Sequence, residues 1–253
     1  MKITVQHDPR EWLRKAFQVS GDQDLFGKIW RILTQQGPLT LVRLAYRRIV
    51  WLHQMWSDAS IDRRFGVDTC GKQRDLGALG VTGENIAHGR SYEPIQIPVF
   101  NRIVKKLPIQ VRDYCFIDYG SGKARALILA AEAGFGRVIG VEFAPVLHAA
   151  AQSNIARYQR HRPGRAKFEI YCQDATTFSL PECNSVLFLN NPFDDVLMSK
   201  VLADIESSWN RRPRDIIIAY RNAVHASVFD TARFMQLLSE DPAFRLYRTR
   251  NPQ

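Results

Sequence analysis

Cysteine is scarce in this chain and too dispersed to indicate a disulfide framework or a zinc site. The four cysteines lie at Cys70, Cys115, Cys172 and Cys183, and no two of them share the Cys-x-x-Cys spacing of structural metal sites. Cys115 and Cys172 fall on predicted strands, where cysteine is usually a small buried hydrophobic residue. The sequence therefore predicts no bound metal.

Long apolar runs are also missing. No stretch reaches the roughly 18 uncharged apolar residues that a bilayer requires, and residues 1–8, Met-Lys-Ile-Thr-Val-Gln-His-Asp, lack the apolar centre of a signal peptide. Hydrophobic residues nevertheless make up 45% of the 253 residues, which is enough for a substantial core. We therefore expect a cytoplasmic protein without a transmembrane segment.

Acidic residues are the minority charge. The chain has 25 Asp and Glu against 35 Lys and Arg, which gives a formal net charge of +10. Such a balance can attract nucleic acid, acidic lipid or an acidic protein, although an arginine-rich solvated surface is the simpler interpretation. No aromatic-rich RNA-binding motif and no DNA-reading helix accompanies the charge. Nucleic acid is therefore an open but not a favoured partner.

A glycine-rich turn between a predicted strand and a predicted helix is the most informative stretch that is present. The strand at residues 113–119 runs into Gly120-Ser121-Gly122, and residues 123–133 have high helix propensity. Glycines in such a turn let a ligand lie against the main chain, and the following helix presents unpaired N–H groups to it. The turn alone is equally consistent with an ordinary connection between a strand and a helix that binds no ligand.

A second predicted strand, residues 137–141, ends at Glu142. This residue lies 22 positions after Gly120 (142 − 120), and dinucleotide-binding folds place an acid about 20 residues after the first glycine, where its carboxylate accepts from the ribose hydroxyls. The third glycine of the dinucleotide pattern is missing because Arg125 occupies its place. The spacing therefore fits a ribose-binding site but counts against NAD or FAD.

The form Asp-x-Gly-x-Gly, with Asp118 ahead of the glycines, resembles the first motif of the class I, seven-strand methyltransferases that use S-adenosyl-L-methionine. The resemblance extends from about Tyr92 to about Asn222. It implies a Rossmann-like fold, S-adenosyl-L-methionine as the cofactor, and an enzyme. In the glycine motif and at the end of the second predicted strand, the resemblance implies that the cofactor is bound by Asp118, Gly120, Ser121, Gly122 and Glu142.

Two further motifs continue the resemblance. Asp174, in Cys-Gln-Asp-Ala, follows the predicted strand 168–172, where this superfamily often has an acid or amide that reads the adenine amino group. Asn-Asn-Pro-Phe follows the predicted strand 185–189, where the superfamily keeps its catalytic motif. The resemblance implies that Asp174 and Asn190 also bind the cofactor. The catalytic residues that it implies are Asn190, Asn191, Pro192, Phe193 and Tyr92.

The motif Asn190-Asn-Pro-Phe193 also bears on the methyl acceptor. Asn-Pro-Pro-Tyr marks methyltransferases that act on amino groups, whereas Asn-Asn-x-x-Phe resembles the protein lysine methyltransferases that lack a SET domain. Both resemblances imply an amine acceptor, which Asn190 and the neighbourhood of Pro192 would orient, with Phe193 or Tyr92 as an apolar wall. From their positions alone, Tyr220 and Asn222 are predicted to line the acceptor pocket. The alternatives are a simple turn at this motif, a small-molecule O- or N-methyltransferase of a biosynthetic pathway, and a non-catalytic binding protein with the same fold.

Residues 1–91 are predicted to form a helical extension with a loop-rich lid, ahead of a cofactor-binding domain at residues 92–253. Helical spacing is clearest over residues 41–56. This helix is expected to pack on the catalytic domain or on a second subunit, so a homo-oligomer stays open, and a membrane-surface helix is the alternative. Residues 61–71 and 77–89 are predicted loops; Phe-Gly-Val-Asp-Thr within the first, followed by Tyr-Glu-Pro, resembles the lead-in of a group of bacterial methyltransferases with this core.

The alternation of strands and helices predicts an α/β fold with a doubly wound, mainly parallel sheet. Further predicted elements are helices at 98–107 and 145–159, a strand at 215–220, a helix at 229–238 and a strand at 244–249. One strand of the usual seven is then unaccounted for, so either the sheet is short or an N-terminal segment supplies an edge. Ligands in such sheets bind outside the carboxyl ends of the strands, where the candidate residues fall.

Overall fold

The computed structural model describes residues 25–71 and 92–250, and for sixteen positions in the N-terminal helices (25, 26, 28, 29 and 47–58) it describes the backbone alone. The chain divides into two compact units, one up to His53 and one from Gln54 onwards. The domain boundary predicted after residue 91 falls at the end of an undescribed segment and stays a prediction. The predicted loop at 77–89 lies outside the described residues.

Two helices precede the sheet. Helix α1 spans Leu25–Gln36 and helix α2 spans Pro38–Phe65, so the helix predicted at 41–56 is part of a longer one. The prediction of a loop from residue 61 onwards was wrong for its first turn, because Ile61 and Phe65, one helical turn apart, are both buried. Gly66 follows with a φ of +63° and ends the helix. None of the described helices is long and apolar enough to cross a membrane.

The second unit is built on a seven-stranded sheet in the order β3-β2-β1-β4-β5-β7-β6. Strand β7 is antiparallel to its neighbours β5 and β6, and the other pairs are parallel. Strand β1 lies between β2 and β4, and this reversal of strand order is where ligands bind in open α/β sheets. The strands are β1 Cys115–Tyr119, β2 Arg137–Glu142, β3 Lys167–Cys172, β4 Ser185–Leu189, β5 Ile216–Arg221, β6 Met235–Asp241 and β7 Phe244–Thr249.

Helices cover both faces of the sheet. Every residue of β1 and β4 is buried, as expected of parallel strands with helices on both sides. Phe116 packs into the apolar cluster on one face and Ile117 into the cluster on the other, because successive strand residues point in opposite directions. The helices are α3 Ile97–Lys106, α4 Arg125–Ala133, α5 Pro145–His161, α6 Asp195–Arg211 and α7 Ala226–Asp230, with 3-10 turns at Val111–Asp113 and Ala175–Thr177.

The C-terminal part differs from the prediction. The helix predicted at 229–238 is wrong beyond Asp230, because α7 ends there and strand β6 begins at Met235. The stretch Met-Gln-Leu-Leu-Ser-Glu has high helix propensity, but pairing with β7 overrides it. Strand β6 is the strand that was unaccounted for, so neither a shortened sheet nor an N-terminal edge strand is needed. The predicted fold class, a doubly wound and mainly parallel sheet with a helical N-terminal region, is confirmed.

Candidate active site

The glycine turn lies at the carboxyl end of β1 and has a backbone that excludes most side chains. Gly120 has a φ of +80° and Gly122 a φ of +52°, both in the left-handed region that favours glycine. A Cβ on Gly120 would lie 3.0 Å from Cβ of Pro192, and one on Gly122 would lie 2.2 Å from Cε2 of Tyr92. The turn therefore touches both the Asn-Asn-Pro-Phe motif and Tyr92, which were predicted to share one site with it.

Main-chain hydrogen bonds fix the turn onto β2. The N–H groups of Gly120 and Ser121 both donate to the carbonyl of Val141, at 2.8 and 3.1 Å. The Ser121 side chain is buried, and its Oγ would lie 2.8 Å from a Cβ added to Gly140. Ser121 thus packs beneath β2, and its part in cofactor binding stays a prediction.

Glu142 ties the loop after β2 to the glycine turn. Its Oε2 accepts from the N–H of Gly122 at 2.7 Å and its Oε1 from the N–H of Ala144 at 2.9 Å. Burial raises the pKa of this carboxyl group, and the N–H donors of Ala144, Gly122 and Phe143 oppose that rise. Glu142 is therefore a buried, well-oriented acceptor at the wall of the site, and its ribose-binding role stays a prediction.

Asp118 carries an unsatisfied acceptor. Its Oδ1 is buried and has no hydrogen-bond partner among the described residues. Burial raises the pKa of Asp118 well above its ordinary value, and the nearby charge of Glu142 raises it further. A buried carboxylate oxygen without a partner is costly. A cationic ligand group with N–H donors would remove that cost.

An apolar pocket lies on one side of Gly120. Its lining residues are Gly120, Val141, Phe143, Gln173, Asp174, Ala175, Phe193 and Leu197. Asp174 is the N-cap of the 3-10 turn after β3, and its Oδ1 accepts from the N–H and the Oγ1 of Thr176, both at 2.8 Å. These bonds fix one carboxylate at the end of an otherwise apolar pocket, which suits a flat heterocycle with one polar edge.

A second pocket also includes Gly120 in its lining, and we call it the polar pocket because polar groups form a larger share of its mixed lining. Its lining residues are Tyr92, Glu93, Gly120, Glu142, Phe143, Ala144, Leu147, Asn190, Asn191, Pro192 and Phe193. Asn190 donates from Nδ2 to the carbonyl of Glu93 at 2.7 Å, which fixes the orientation of its amide. The opposite atom, Oδ1 of Asn190, is buried and has no partner among the described residues. Asn190 thus presents an oriented, unsatisfied acceptor.

Asn191, the second asparagine of the motif, is held by a hydrogen bond from a buried tyrosine. Asn191 has a φ of +49°, and its Oδ1 accepts from the hydroxyl of Tyr220 at 3.1 Å. That hydroxyl in turn accepts from the N–H of His225 at 3.2 Å. Tyr220 is fully buried, and neither it nor Asn222 lines the two pockets. Tyr220 therefore supports the motif from below, which differs from its predicted place in the acceptor pocket.

Two aromatic side chains complete the walls. Phe193 lines both pockets and is buried. The hydroxyl of Tyr92 donates to the carbonyl of Thr69 at 2.8 Å, and burial raises the pKa of Tyr92, so the phenol stays neutral. Phe193 and Tyr92 both line the polar pocket, where the sequence predicted an apolar wall.

Sequence reasoning missed the residues that make the first pocket apolar. Phe143 follows Glu142 directly and lines both pockets, and Ala175 follows Asp174 in the same way. Their positions just after two predicted ligand residues were the available signal. Leu197 comes from α6, which was not singled out in the sequence. Within residues 25–71 and 92–250, no cluster of three or more His, Cys, Asp or Glu is placed to hold a metal ion.

Comparison with known proteins bears on the fold. No protein-family model matches the chain, and a search of curated proteins found no match. The solved structure of yhhF from Escherichia coli, a proposed methyltransferase, is 17% identical with a TM-score of 0.53, and the match covers 72% of this chain and 100% of that one. An RNA methyltransferase from Salinibacter ruber, solved with S-adenosyl-L-homocysteine, is 18% identical over 62% of this chain and 92% of its own, with a TM-score of 0.43.

The sheet order and the match to yhhF define the architecture. The chain has the Rossmann-like fold of the class I methyltransferases. Within that fold, the glycine turn, Glu142, Asp174 and the Asn-Asn-Pro-Phe motif lie at the carboxyl ends of β1, β2, β3 and β4 respectively.

Proposed function

We propose that this protein is an S-adenosyl-L-methionine-dependent methyltransferase that transfers a methyl group to an amine nitrogen, such as that of a lysine side chain. The observation that carries the proposal is the meeting of two unlike pockets over Gly120, which share Phe143 and Phe193 as walls. One pocket is apolar and ends in a carboxylate, and the other is polar. A ligand with an adenine at one end and an amino acid at the other matches this pair of pockets, because adenine suits the apolar pocket and the amino acid suits the polar one.

The described residues fit the cofactor. Asp174 would accept from the adenine amino group while Val141 and Phe143 cover the ring. Glu142 would accept from the ribose hydroxyls, since it lines the polar pocket next to Phe143, which lines both pockets. Asp118 lines neither pocket but lies two residues before Gly120. Its unpartnered Oδ1 would accept from the ammonium group of the methionine part, which would remove its desolvation cost.

The bound cofactor supplies an electrophilic methyl group on a sulfonium. Displacement at that carbon needs the acceptor in line with the breaking bond and free of competing water, so the contribution of the protein is alignment and exclusion. Phe193 and Tyr92 contribute aromatic walls for this purpose. Pro192, packed against Gly120, fixes the distance between the motif and the glycine turn.

The choice of an amine rests on Asn190. Its Oδ1 is a buried acceptor without a partner, and its Nδ2 is committed to the carbonyl of Glu93. An amine with N–H donors can bond to that oxygen and be held with its lone pair turned elsewhere, provided that it arrives neutral. An acceptor that has lost its only proton, such as a phenolate, would instead face the Oδ1 lone pairs.

The cofactor assignment is tested at Asp174. We expect Asp174→Asn to weaken S-adenosyl-L-homocysteine binding about 10- to 100-fold in calorimetric titration. Asparagine can still cap the turn at Thr176 through its oxygen. Its amide nitrogen, a donor, then takes the place of the carboxylate oxygen that would accept from the adenine amino group.

The inosine analogue of S-adenosyl-L-homocysteine, with a carbonyl in place of the adenine amino group, provides the matched control. Asp174→Asn should narrow or reverse the preference for adenosine over inosine, because the new donor suits the 6-oxo group. If the wild-type protein is folded and binds neither compound, the methyltransferase assignment is wrong. An unchanged preference in the variant would remove Asp174 from the adenine site.

The acceptor assignment is tested at Asn190. With labelled cofactor, we expect transfer to lysine-containing peptides rather than to phenolic or RNA acceptors, and we expect Asn190→Ala to reduce that transfer about 100-fold. Asn184→Ala, an exposed asparagine before β4 at the opposite edge of the sheet, should leave transfer unchanged. Transfer to a hydroxyl or to RNA in preference to an amine would contradict the proposal while leaving the cofactor assignment intact.

A further inference from the structure

Arg125 is buried to an unusual degree for a charged residue, and the site described above gives it no role. Its exposed fraction is 2%, and it is the first residue of α4, directly after the glycine turn. A buried guanidinium is unfavourable unless its donors are paired, and a cation at a helix N-terminus opposes the helix dipole. The contacts of Arg125 must therefore offset both the burial of its charge and its unfavourable position at a helix N-terminus.

The Arg125 donors reach segments on both sides of the undescribed residues 72–91. Nε donates to Oγ1 of Thr69 at 2.8 Å, and Nη1 donates to the carbonyl of Ile95 at 3.4 Å. Nη2 donates to Sγ of Cys70 at 2.9 Å and lies 3.9 Å from Oδ1 of Asp62. One side chain at the edge of the glycine turn thus joins the end of α2, the segment after it and the segment before α3.

Thr69 carries these contacts on to Tyr92. Thr69 is fully buried, its Oγ1 donates to Oδ1 of Asp62 at 2.5 Å, and its N–H donates to Oδ2 of Asp62 at 2.8 Å. Its carbonyl accepts the hydroxyl of Tyr92. Each polar group of Thr69 is therefore used, and a continuous path of hydrogen bonds runs from Arg125 to the ring that lies against Gly122.

We propose that Arg125 is a positioning residue for the cofactor site: with Asp62 and Thr69, which together we call the Arg125 clamp, it holds the Tyr92 ring against Gly122. The inference rests on the proposed function, since Tyr92 is a wall of the polar pocket. The same guanidinium holds the carbonyl of Ile95, which lies three residues after Tyr92. The clamp acts on the ligand through Tyr92 and has no contact of its own with the pocket.

Thr69→Val is the sharpest probe, because valine keeps the shape of threonine and its carbonyl but removes both bonds of Oγ1. We expect S-adenosyl-L-homocysteine to bind about five- to tenfold more weakly to Thr69→Val than to the wild-type protein in calorimetric titration. In the ligand-free protein, amide hydrogen exchange over residues 92–96 should become faster. Arg125→Lys, which keeps the charge but not the planar fork, should change both readouts in the same direction.

Tyr158→Phe is the matched control for a lost buried hydrogen bond. The Tyr158 hydroxyl donates to Oε1 of Glu132 at 2.8 Å, and so joins α5 to α4 without contacting either pocket. This variant should lower the melting temperature as Thr69→Val does, but leave ligand affinity and exchange over residues 92–96 unchanged. A merely structural role for the clamp predicts the same behaviour for both variants.

The double variant Thr69→Val/Tyr92→Phe decides whether the clamp acts through Tyr92. We expect its affinity to be no weaker than that of the weaker single variant, whereas independent effects would multiply. Multiplied effects, or unchanged affinity in Thr69→Val with tight wild-type binding, would overturn the inference. If the wild-type protein does not bind the ligand, the proposed function fails by itself. In that case, faster hydrogen exchange over residues 92–96 in Thr69→Val would support the clamp, and unchanged exchange would overturn it.

Discussion

Gly122→Ala should abolish measurable cofactor binding and destabilise the protein by about 2 to 4 kcal/mol. Alanine is strained at a φ of +52°, which costs about 1 to 2 kcal/mol. Its Cβ would also lie 2.2 Å from the Tyr92 ring. The ring has no easy way to move, because its hydroxyl is bonded to Thr69, and losing that bond adds about 1 kcal/mol or more.

Gly164→Ala separates backbone strain from the clash in this experiment. Gly164 has a φ of +69°, and nothing lies within 4 Å of a Cβ added there. It should therefore lose only the strain energy, about 1 to 2 kcal/mol, and bind S-adenosyl-L-homocysteine normally. Denaturant unfolding and calorimetric titration of the two variants measure both effects. Equal destabilisation with retained binding in Gly122→Ala would show that the close approach of Tyr92 is unimportant.

Asp118→Asn should move stability and binding in opposite directions. At neutral pH we expect the ligand-free variant to be more stable than the wild-type protein by about 1 to 3 kcal/mol, because it no longer buries a charge without a partner. S-Adenosyl-L-homocysteine should bind about 10- to 100-fold more weakly, since the ammonium group loses an ionised acceptor. Asp113→Asn, at an exposed acid just before β1, should change neither quantity.

The stability difference between Asp118→Asn and the wild-type protein should depend on pH in one direction only. Burial, together with the charge of Glu142, raises the pKa of Asp118 in the folded protein, while the unfolded carboxyl titrates near about 3.9. The stability that this group contributes is then fully present below the unfolded pKa and is lost as the pH rises through the folded value. The stability advantage of Asp118→Asn should therefore vanish in acid and grow toward neutral pH. An advantage that grows on acidification would contradict the burial of an unpaired carboxylate at Asp118.

Local patterns predicted the strands that position the site but not the contacts across it. Short apolar strands next to glycine or acidic residues located β1 to β5 to within about two residues, and the parallel fold then placed Gly120 and Asn190 at one edge. The helix prediction failed at β6, where the residues favour a helix and only the partner strand decides. The bonds of Arg125 to Thr69 and Ile95 join residues 56 and 30 positions apart in sequence, and no periodicity in the sequence encodes such pairs.

The place of β1 in the sheet also determines when the site can form during synthesis. One edge of β1 pairs with β2, which follows closely, but the other pairs with β4, and the partners Cys115 and Ser185 are 70 residues apart (185 − 115). A nascent chain therefore carries an open apolar edge on β1 until residue 189 has emerged, and such edges are prone to pair with other chains. The glycine turn is synthesised early, but the pocket beside it cannot form until the asparagine motif that follows β4 has also been synthesised.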